Sequence, residues 1–354
     1  MKELKDKSEI KKILVIKPGA IGDVLMTTPL LANLRFHFPQ AQINYLTKKF
    51  CKDALSGNPN VDKILTYDLE TDSSYCILKN IRKQRYDLVV DLFCNPRTAL
   101  ITFYSGAKYK VGYKFRHRTY AYNIRITPRS SEVHNIEFNL DSIRALGLEV
   151  ITNKPLMAFS GIEEEFADKY FKKNNLTGKK VIAINPCGSW ETKVWHKEKF
   201  IELIKEFKLL GKDFSYLILW GYESERKVAE EIKSQCGESV LVIPELNFKY
   251  MIAIIKKCDV LITNDTGPMH GAWMTGVKTV AIFGPTNSHL QGPLSDNSIV
   301  IKNETLNCLG CNLTKLSECK YEHACMKELS PDKIIEAVRN LLESKELVGT
   351  FNTG

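Results

Sequence analysis

The 354-residue chain lacks any long hydrophobic run, since no apolar stretch approaches the ~20 residues that a helix needs to cross a bilayer. Its first residues, MKELKDKSEIKK, are charged and lead directly into a predicted strand, which does not fit a secretory signal peptide. Both absences predict a cytoplasmic protein, which could still contact a membrane surface. Hydrophobic residues make up 44% of the chain, so sizeable cores can form, and the length suggests two domains.

Two common nucleotide-binding motifs are also absent. The turn after the first predicted strand reads KPGAIGD, which is neither the dinucleotide fingerprint GxGxxG nor a Walker P-loop. No GxGxxG follows the first predicted strand of the second half either. These absences argue against an NAD-linked oxidoreductase.

The chain carries a net charge of +9, and acidic residues are missing from the window between Asp91 and Glu132. The basic residues of this window are Arg97, Lys108, Lys110, Lys114, Arg116, Arg118, Arg125 and Arg129. Such a patch attracts an anionic partner, which could be nucleic acid, anionic lipid or an acidic substrate. The alternative is a solvated basic face without a partner.

Six of the ten cysteines are scattered, as is typical of reduced cytosolic thiols. The other four are clustered, with one CxxC and two wider gaps: Cys308, Cys311, Cys319 and Cys325. Four thiolates suit tetrahedral zinc, but two matched CxxC pairs would indicate it more strongly. We favour a structural role, with a metal, a disulfide pair or free thiols as alternatives.

Short apolar strands alternate with helical patterns twice along the chain, which indicates an α/β protein with two parallel, doubly wound sheets. Strands are predicted at residues 13–16, 43–46, 64–67, 88–92, 179–185, 216–220, 240–243, 260–263 and 279–283. We place an N-terminal Rossmann-like domain at residues 1–165, a C-terminal one at 176–328, and a final helix and tail at 329–354.

The most informative stretch is residues 259–286, which reads as a strand, a polar turn, a short helix and a second strand. Such a βαβ unit brings its polar turns to the carboxyl edge of the sheet, where open α/β sheets bind ligands. Pro268 near the helix start leaves backbone N–H groups available for an anion. Asp265 to His270 are therefore predicted to hold a phosphate-bearing ligand, unless this is an ordinary βα turn.

Other turns carry candidate residues with two readings each. Asp23 is either a helix cap or a carboxylate able to accept a proton from an attacking hydroxyl. Lys193 is either a surface lysine or a phosphate ligand. Glu225, close to Glu223 after another strand, either binds ribose hydroxyls or complements the helix N-terminus. His270 contacts a phosphate or the backbone.

Three motifs together resemble glycosyltransferase family 9, the ADP-heptose:lipopolysaccharide heptosyltransferases. They are KILVIKPGAIGDVLMTTPLL, NPCGSWETKVWHKEKF and NDTGPMHGAWMTGVKTVAIFGPTNS, and the similarity spans nearly the whole chain in the same order. The resemblance implies a GT-B fold, with two Rossmann-like domains facing across a cleft and a last helix crossing back to the first domain. It also implies an inverting transfer without a cofactor or catalytic metal.

The resemblance also implies roles for particular residues. Asp23 is the expected general base and Lys193 the ligand of the departing diphosphate. The expected donor-binding residues are Gly188, Ser189, Glu223, Glu225, Leu246, Asp265, Thr266, Gly267 and His270. The residues we expect on the acceptor side are Gly22, Arg97, Lys114, Arg116 and Arg118.

The implied reaction moves heptose from ADP-heptose to the anionic inner core of lipopolysaccharide. We expect peripheral contact with the cytoplasmic face of the inner membrane and no nucleic-acid partner. The alternatives are a family 9 enzyme with another nucleotide sugar or acceptor, a nucleotide-sugar epimerase, and a non-catalytic polyanion-binding protein. The last would leave Asp23 and Lys193 without a purpose.

Overall fold

The computed structural model describes residue 4 and residues 6–68, 72–129, 132–211 and 213–343. The chain divides into two compact units. The first runs to Ile162 and includes His289–Gln291, and the second comprises the remainder from Glu163 onward.

The first unit is built on a six-stranded parallel sheet with the order β3-β2-β1-β4-β5-β6. Its strands are β1 (Lys12–Ile16), β2 (Gln42–Thr47), β3 (Lys63–Thr66), β4 (Leu88–Asp91), β5 (Tyr109–Tyr113) and β6 (Ile124–Ile126). The central strands, KILVI and LVVD, are almost entirely buried, as expected where helices cover both faces of a parallel sheet.

The first five helices of this unit lie between its strands, and the sixth follows the last strand. They are α1 (Ile21–Leu25), α2 (Thr28–His37), α3 (Lys52–Leu55), α4 (Ser74–Gln84), α5 (Pro96–Tyr104) and α6 (Asn135–Ala145). Helix α5 begins with proline, and the Asn95 side chain accepts a hydrogen bond from the Thr98 backbone N–H at 2.8 Å, a standard N-cap.

The second unit repeats the same topology, with the order β12-β11-β10-β7-β8-β9. Its strands are β7 (Lys180–Asn185), β8 (Phe214–Ile218), β9 (Val240–Val242), β10 (Val260–Asn264), β11 (Thr279–Ile282) and β12 (Ser298–Ile301). Numbered within each unit, both sheets follow the 3-2-1-4-5-6 order of dinucleotide-binding folds. The strand order reverses between β7 and β10, so the turns after these strands lie at the switch point.

The remaining helices run from the junction of the units to the end of the described chain. They are α7 (Gly161–Lys173), α8 (Lys197–Leu209), α9 (Glu223–Cys236), α10 (Phe248–Ile255), α11 (Gly267–Met274), α12 (Ser288–Gln291), α13 (Ala324–Lys327) and α14 (Pro331–Glu343). In the described part of the chain, none of the helices combines the length and apolar character that crossing a membrane requires.

The predicted α/β class with two Rossmann-like sheets is confirmed, and every predicted strand is present. Strands β5, β6 and β12 were not predicted. Helix α14 packs within the second unit, on α8 and on strands β10 to β12, because its apolar face, including Ile334 and Val338, is buried there. The predicted tail, residues 344–354, lies outside the described residues.

Candidate active site

The turn after β10 leads directly into helix α11 at the switch point of the second sheet. Thr266 has an extended backbone and precedes the first helical residue, Gly267, and Pro268 occupies the first turn. The first N–H groups of a helix have no partner within the helix, and its dipole favours negative charge there. This part of the predicted donor turn therefore has the local structure of an anion site.

A buried ion pair lies beside this turn. Lys193 Nζ is 2.8 Å from Asp265 Oδ2, and the two side chains are only 12% and 3% exposed. The Thr286 hydroxyl donates to the same carboxylate oxygen at 2.7 Å, and His270 Nε2 lies 3.9 Å from Asp265 Oδ1. The structure thus brings together three predicted residues, while Thr286, in the glycine-proline turn after β11, is an additional member that was not predicted.

Lys193 comes from the turn after β7, where residues Glu191–Lys193 form a short 3₁₀ turn. Its Nζ sits 4.3 Å from the centre of the Trp190 ring, a cation–π distance. A Cβ added at Gly188 would lie 3.4 Å from Val194 Cγ2 and 3.6 Å from Thr266 Cγ2. Gly188 is therefore in contact with the donor turn, whereas the neighbouring Ser189 is exposed.

Two asparagines at strand ends tie the β7 and β10 turns together. Asn185 Nδ2 donates to Thr266 Oγ1 at 2.7 Å. The Asn264 carboxamide accepts from the Trp195 backbone N–H at 3.1 Å and donates to the Cys187 carbonyl at 3.2 Å. Neither asparagine was predicted from the sequence, although each is a polar residue at the last position of a buried strand.

The cysteine-rich segment before α14 braces the lysine turn from its other side. His323 Nε2 donates to the Thr192 carbonyl at 2.7 Å, and the Thr192 hydroxyl donates to the Leu313 carbonyl. The Glu191 carboxylate accepts from the Leu316 backbone N–H at 3.2 Å. The segment therefore holds the residues immediately before Lys193 through His323, Leu313 and Leu316, while the structural role of its cysteines stays a prediction.

The four clustered cysteines occupy different environments in this segment. Cys325 is buried, Cys308 and Cys319 are half-buried, and Cys311 is exposed. Burial, reinforced by the three neighbouring cysteines, raises the pKa of Cys325 to about 11, so its thiol is protonated at neutral pH. Within the described residues, no group of three or more His, Cys, Asp or Glu side chains is arranged to hold a metal ion.

The two acidic candidates after β8 differ in what they contact. The Glu225 carboxylate accepts from the backbone N–H groups of Gly221 and Tyr222, at 2.7 and 3.2 Å, which makes it a cap of α9. Glu223 is exposed, with its carboxylate 3.8 Å from the Arg226 guanidinium. Leu246 is half-buried in the loop between β9 and α10. Glu223 is thus the carboxylate of the two that remains accessible to a ligand.

In the first unit, Asp23 is the third residue of α1, on the turn after β1. Its side chain is half-buried, and Oδ2 accepts a hydrogen bond from the Ala20 backbone N–H at 3.0 Å. A Cβ at Gly19 would lie 2.7 Å from this oxygen, so the carboxylate position requires glycine there. The structural role of Asp23 as a cap is therefore real, but it occupies only one carboxylate oxygen.

The basic candidates of the first unit are mostly solvent-facing. Arg97, Lys114 and Arg116 are exposed, and the Arg118 guanidinium stacks 5.7 Å from the centre of the Phe115 ring. Arg129 forms a bidentate pair with Asp141, with Nε 3.0 Å from Oδ2. Two cations of the patch predicted from sequence are therefore engaged by carboxylates, Arg129 by Asp141 and Lys108 by Glu9.

Fold and site together define a class. Two Rossmann-like units, each built on a six-stranded parallel sheet with the same strand order, form the GT-B fold. The chain matches glycosyltransferase family 9 (heptosyltransferase) over residues 75–322 and belongs to that family.

Known relatives match almost the full length of the chain. It is 28% identical to lipooligosaccharide heptosyltransferase 2 of Campylobacter jejuni, over 95% of this chain and 100% of the relative. It resembles the family 9 glycosyl transferase of Veillonella parvula with a TM-score of 0.81 and 23% identity, over 94% and 97% of the two chains. It also resembles the Escherichia coli heptosyltransferase WaaC with ADP-2-deoxy-2-fluoro heptose, with a TM-score of 0.68 and 17% identity, over 93% of this chain and 99% of that one.

Proposed function

We propose that this protein transfers heptose from ADP-heptose to the inner core of lipopolysaccharide or lipooligosaccharide, with inversion at the anomeric carbon. The observation that carries the proposal is the buried Lys193–Asp265 pair beside the N-terminus of α11. Support for the sugar and acceptor comes from the names of the C. jejuni relative and of the ligand in the E. coli neighbour.

The donor diphosphate would lie over the start of α11. As the anomeric C–O bond breaks, negative charge accumulates on ADP, and Lys193 and the N–H groups from Gly267 onward would stabilise it. Asp265 would hold the lysine. Asp265 and His270 would face the sugar, while Gly188, Ser189 and Thr266 would contact the phosphates. Because the lysine is already held by Asp265, little reorganisation is needed when the donor binds.

The adenosine would extend toward the end of β8. Glu223 is accessible and would bond the ribose hydroxyls, whereas Glu225 is committed to capping α9. Leu246, half-buried after β9, would line the adenine. This division is supported by the different partners of the two glutamates.

In the first unit, Asp23 would act as general base. The acceptor hydroxyl oxygen attacks the anomeric carbon, its proton passes to the Asp23 carboxylate, and the electron pair of the broken C–O bond leaves with ADP. A single displacement of this kind inverts the anomeric centre and needs no cofactor. The half-exposed carboxylate, with one oxygen not used by the Ala20 bond, supports this role.

The acceptor is polyanionic, and the first unit offers exposed cations to match. Arg97, Lys114, Arg116 and Arg118, with the Gly22 backbone beside the base, would hold its carboxylates and phosphates. Since this acceptor is anchored in lipid, we place the enzyme in the cytoplasm with peripheral contact at the inner membrane.

A direct test combines binding and turnover. ADP, ADP-heptose, UDP-glucose and GDP-mannose would be compared by thermal shift, and then a heptose-deficient lipooligosaccharide acceptor would be incubated with ADP-heptose and analysed by mass spectrometry. We expect the adenine nucleotides alone to raise the melting temperature and the acceptor to gain one heptose. Stabilisation by a uridine or guanosine sugar instead would assign the protein to another family 9 reaction.

A further inference from the structure

Helix α5 carries an unusual exposed ridge of large apolar side chains. Leu100, Phe103 and Tyr104 on α5, and Tyr120 on the short turn packed beside it, are 41 to 54% exposed. Exposed apolar side chains that cluster on one face are typical of surfaces that contact a membrane or another protein. We call these four residues the α5 ridge.

The ridge is an ordered surface and no part of the core. The spacing of Leu100, Phe103 and Tyr104 places them on one face of the helix, while the buried residues of α5 lie on the other face. The Phe103 ring packs edge-on against Tyr104 and Tyr120, with ring centres 5.2 and 5.6 Å apart. Such aromatic clusters have an apolar body and, in tyrosine, a polar tip, which suits the headgroup region of a bilayer.

Cations surround the ridge. Lys110 Nζ lies 5.6 Å from the centre of the Phe103 ring. At the C-terminal end of α5, a concavity of about 1180 Å³ is lined by basic residues from three segments. Those residues are Lys11, Lys12, Arg82, Lys83, Arg85 and Lys108.

The concavity adjoins the ridge directly and keeps a positive balance. It includes Gly106, two residues beyond Tyr104, and a Cβ there would overlap the Arg82 guanidinium. The acidic residue in its lining, Asp87, is occupied by the backbone N–H groups of Lys11 and Lys12, each at 2.9 Å. Lys108 is paired with the Glu9 carboxylate at the edge of the concavity. The other five lining cations still outnumber Asp87, on a surface continuous with exposed aromatic rings.

We propose that the α5 ridge and the adjoining basic concavity form the surface with which this protein docks on an anionic phospholipid bilayer. The rings and Leu100 enter the headgroup region, and the lysines and arginines lie over lipid phosphates. A nucleic acid would account for the cations but not for Leu100. The inference deepens the peripheral contact proposed above, yet it concerns residues outside the donor and base turns.

The first test is flotation of the full-length protein with vesicles, without nucleotide or acceptor. Wild type should float with phosphatidylcholine vesicles containing phosphatidylglycerol and much less with phosphatidylcholine alone. The triple variant L100S/F103S/Y104S should bind the anionic vesicles roughly tenfold more weakly or worse, because it loses most of the buried apolar area. The matched control is L209S, since Leu209 is 87% exposed in the second unit.

A charge test addresses the concavity separately. K11E/K83E should weaken vesicle binding by about fivefold or more per residue, whereas K172E/K173E, two exposed lysines of α7, should not. The charge variants should keep the wild-type melting temperature because the substituted lysines are exposed. The triple serine variant loses ring packing, so its melting temperature should fall, but the variant should remain folded. ADP affinity, measured for every variant, should stay at the wild-type value.

Three results would overturn the inference: no binding of wild type to anionic vesicles, equal binding by the ridge variant, or tighter binding to single-stranded nucleic acid than to vesicles. The outcome is independent of the proposed reaction. If the protein transfers heptose but does not bind vesicles, only the proposed docking surface is wrong. If it binds vesicles but does not transfer heptose, only the proposed reaction is wrong.

Discussion

The two units share one strand order, yet the turns at the carboxyl edges of their sheets are held in different ways. In the second unit, Lys193, Asp265 and Thr286 come from the ends of three neighbouring strands and are joined by an ion pair and a hydrogen bond. In the first unit, Asp23 is half-buried and accepts one backbone hydrogen bond, from Ala20.

The difference matches the chemistry proposed for each unit. A group that stabilises a developing charge works best when it is fixed beforehand, which the buried network around Lys193 provides. A general base must meet a hydroxyl and take its proton, so one carboxylate oxygen has to remain accessible. The same topology therefore supports a rigid electrostatic site in one unit and an open carboxylate in the other.

The largest expected effect is that of Asp23→Asn. This change keeps the side-chain size and the bond from Ala20 but removes the basic oxygen, so kcat for heptose transfer should fall by about 10³-fold. ADP affinity, measured by calorimetry, should be unchanged because the proposed donor site lies in the second unit.

Asp53→Asn is the matched control, an aspartate in the first turn of the neighbouring helix α3. It should leave kcat at the wild-type level. Near wild-type turnover by the Asp23 variant would show that this carboxylate is not the base. The difference between the two turns would then have no explanation in the proposed chemistry.

Lys193→Ala should weaken ADP binding by about 10- to 100-fold, the usual worth of a charge-assisted contact to a phosphate. The variant also leaves the Asp265 carboxylate buried without its cation, so the melting temperature should fall in the absence of ligand. Calorimetry and a thermal melt separate the two effects.

The comparison is Lys199→Ala, which removes a lysine that pairs with Glu202 on the surface of α8. Neither ADP affinity nor stability should change measurably, since exposed ion pairs contribute little. If the Lys193 variant bound ADP as wild type does, the pair with Asp265 would be structural only.

Features that depend on neighbouring residues could be predicted from the sequence, whereas contacts between segments far apart in the chain could not. Buried strands such as β1 and β10 are near-continuous apolar runs bounded by turn residues, so they were found, while the short mixed strands β6 and β12 were not. Lys193 and Asp265 were identified from their positions after strands. The contact between Lys193 and Asp265, and the role of Thr286, depend on which strands are neighbours, and local sequence patterns do not determine this.

Glu223 and Glu225 share a helix turn, and only the geometry shows which one caps it.

Asn264→Ala tests the rigidity of the second unit. It removes the amide that links the Trp195 N–H and the Cys187 carbonyl, leaving two buried backbone groups without this partner. The free energy of unfolding should fall by about 2 kcal/mol, and ADP binding should weaken because the lysine turn loses its anchor. Denaturant titration and calorimetry measure the two effects, with the exposed Asn297→Ala as control. A loss of stability with unchanged ADP affinity would show that the Asn264 hydrogen bonds stabilise the fold but do not position the lysine turn for ADP.

The smallest effect is expected at His323, which braces the lysine turn through the Thr192 carbonyl. Burial lowers the pKa of His323 below its ordinary value of 6.5, and the nearby His196 and Lys327 lower it further. The unfolded chain therefore takes up a proton near pH 6.5 that the folded protein resists, so this stabilisation is complete above that pH and is lost as the pH falls.

His323→Gln keeps a donor for the Thr192 carbonyl but cannot titrate, whereas His323→Leu removes both properties. Above pH 7, the leucine variant should be about 1 kcal/mol less stable than wild type and the glutamine variant less affected. Toward pH 5.5 the difference between wild type and either variant should shrink, because only wild type loses the contribution of a neutral histidine. Melting temperatures from pH 5.5 to 8 measure this, and a difference that grew in acid would mean that the folded protein stabilises the charged form of His323.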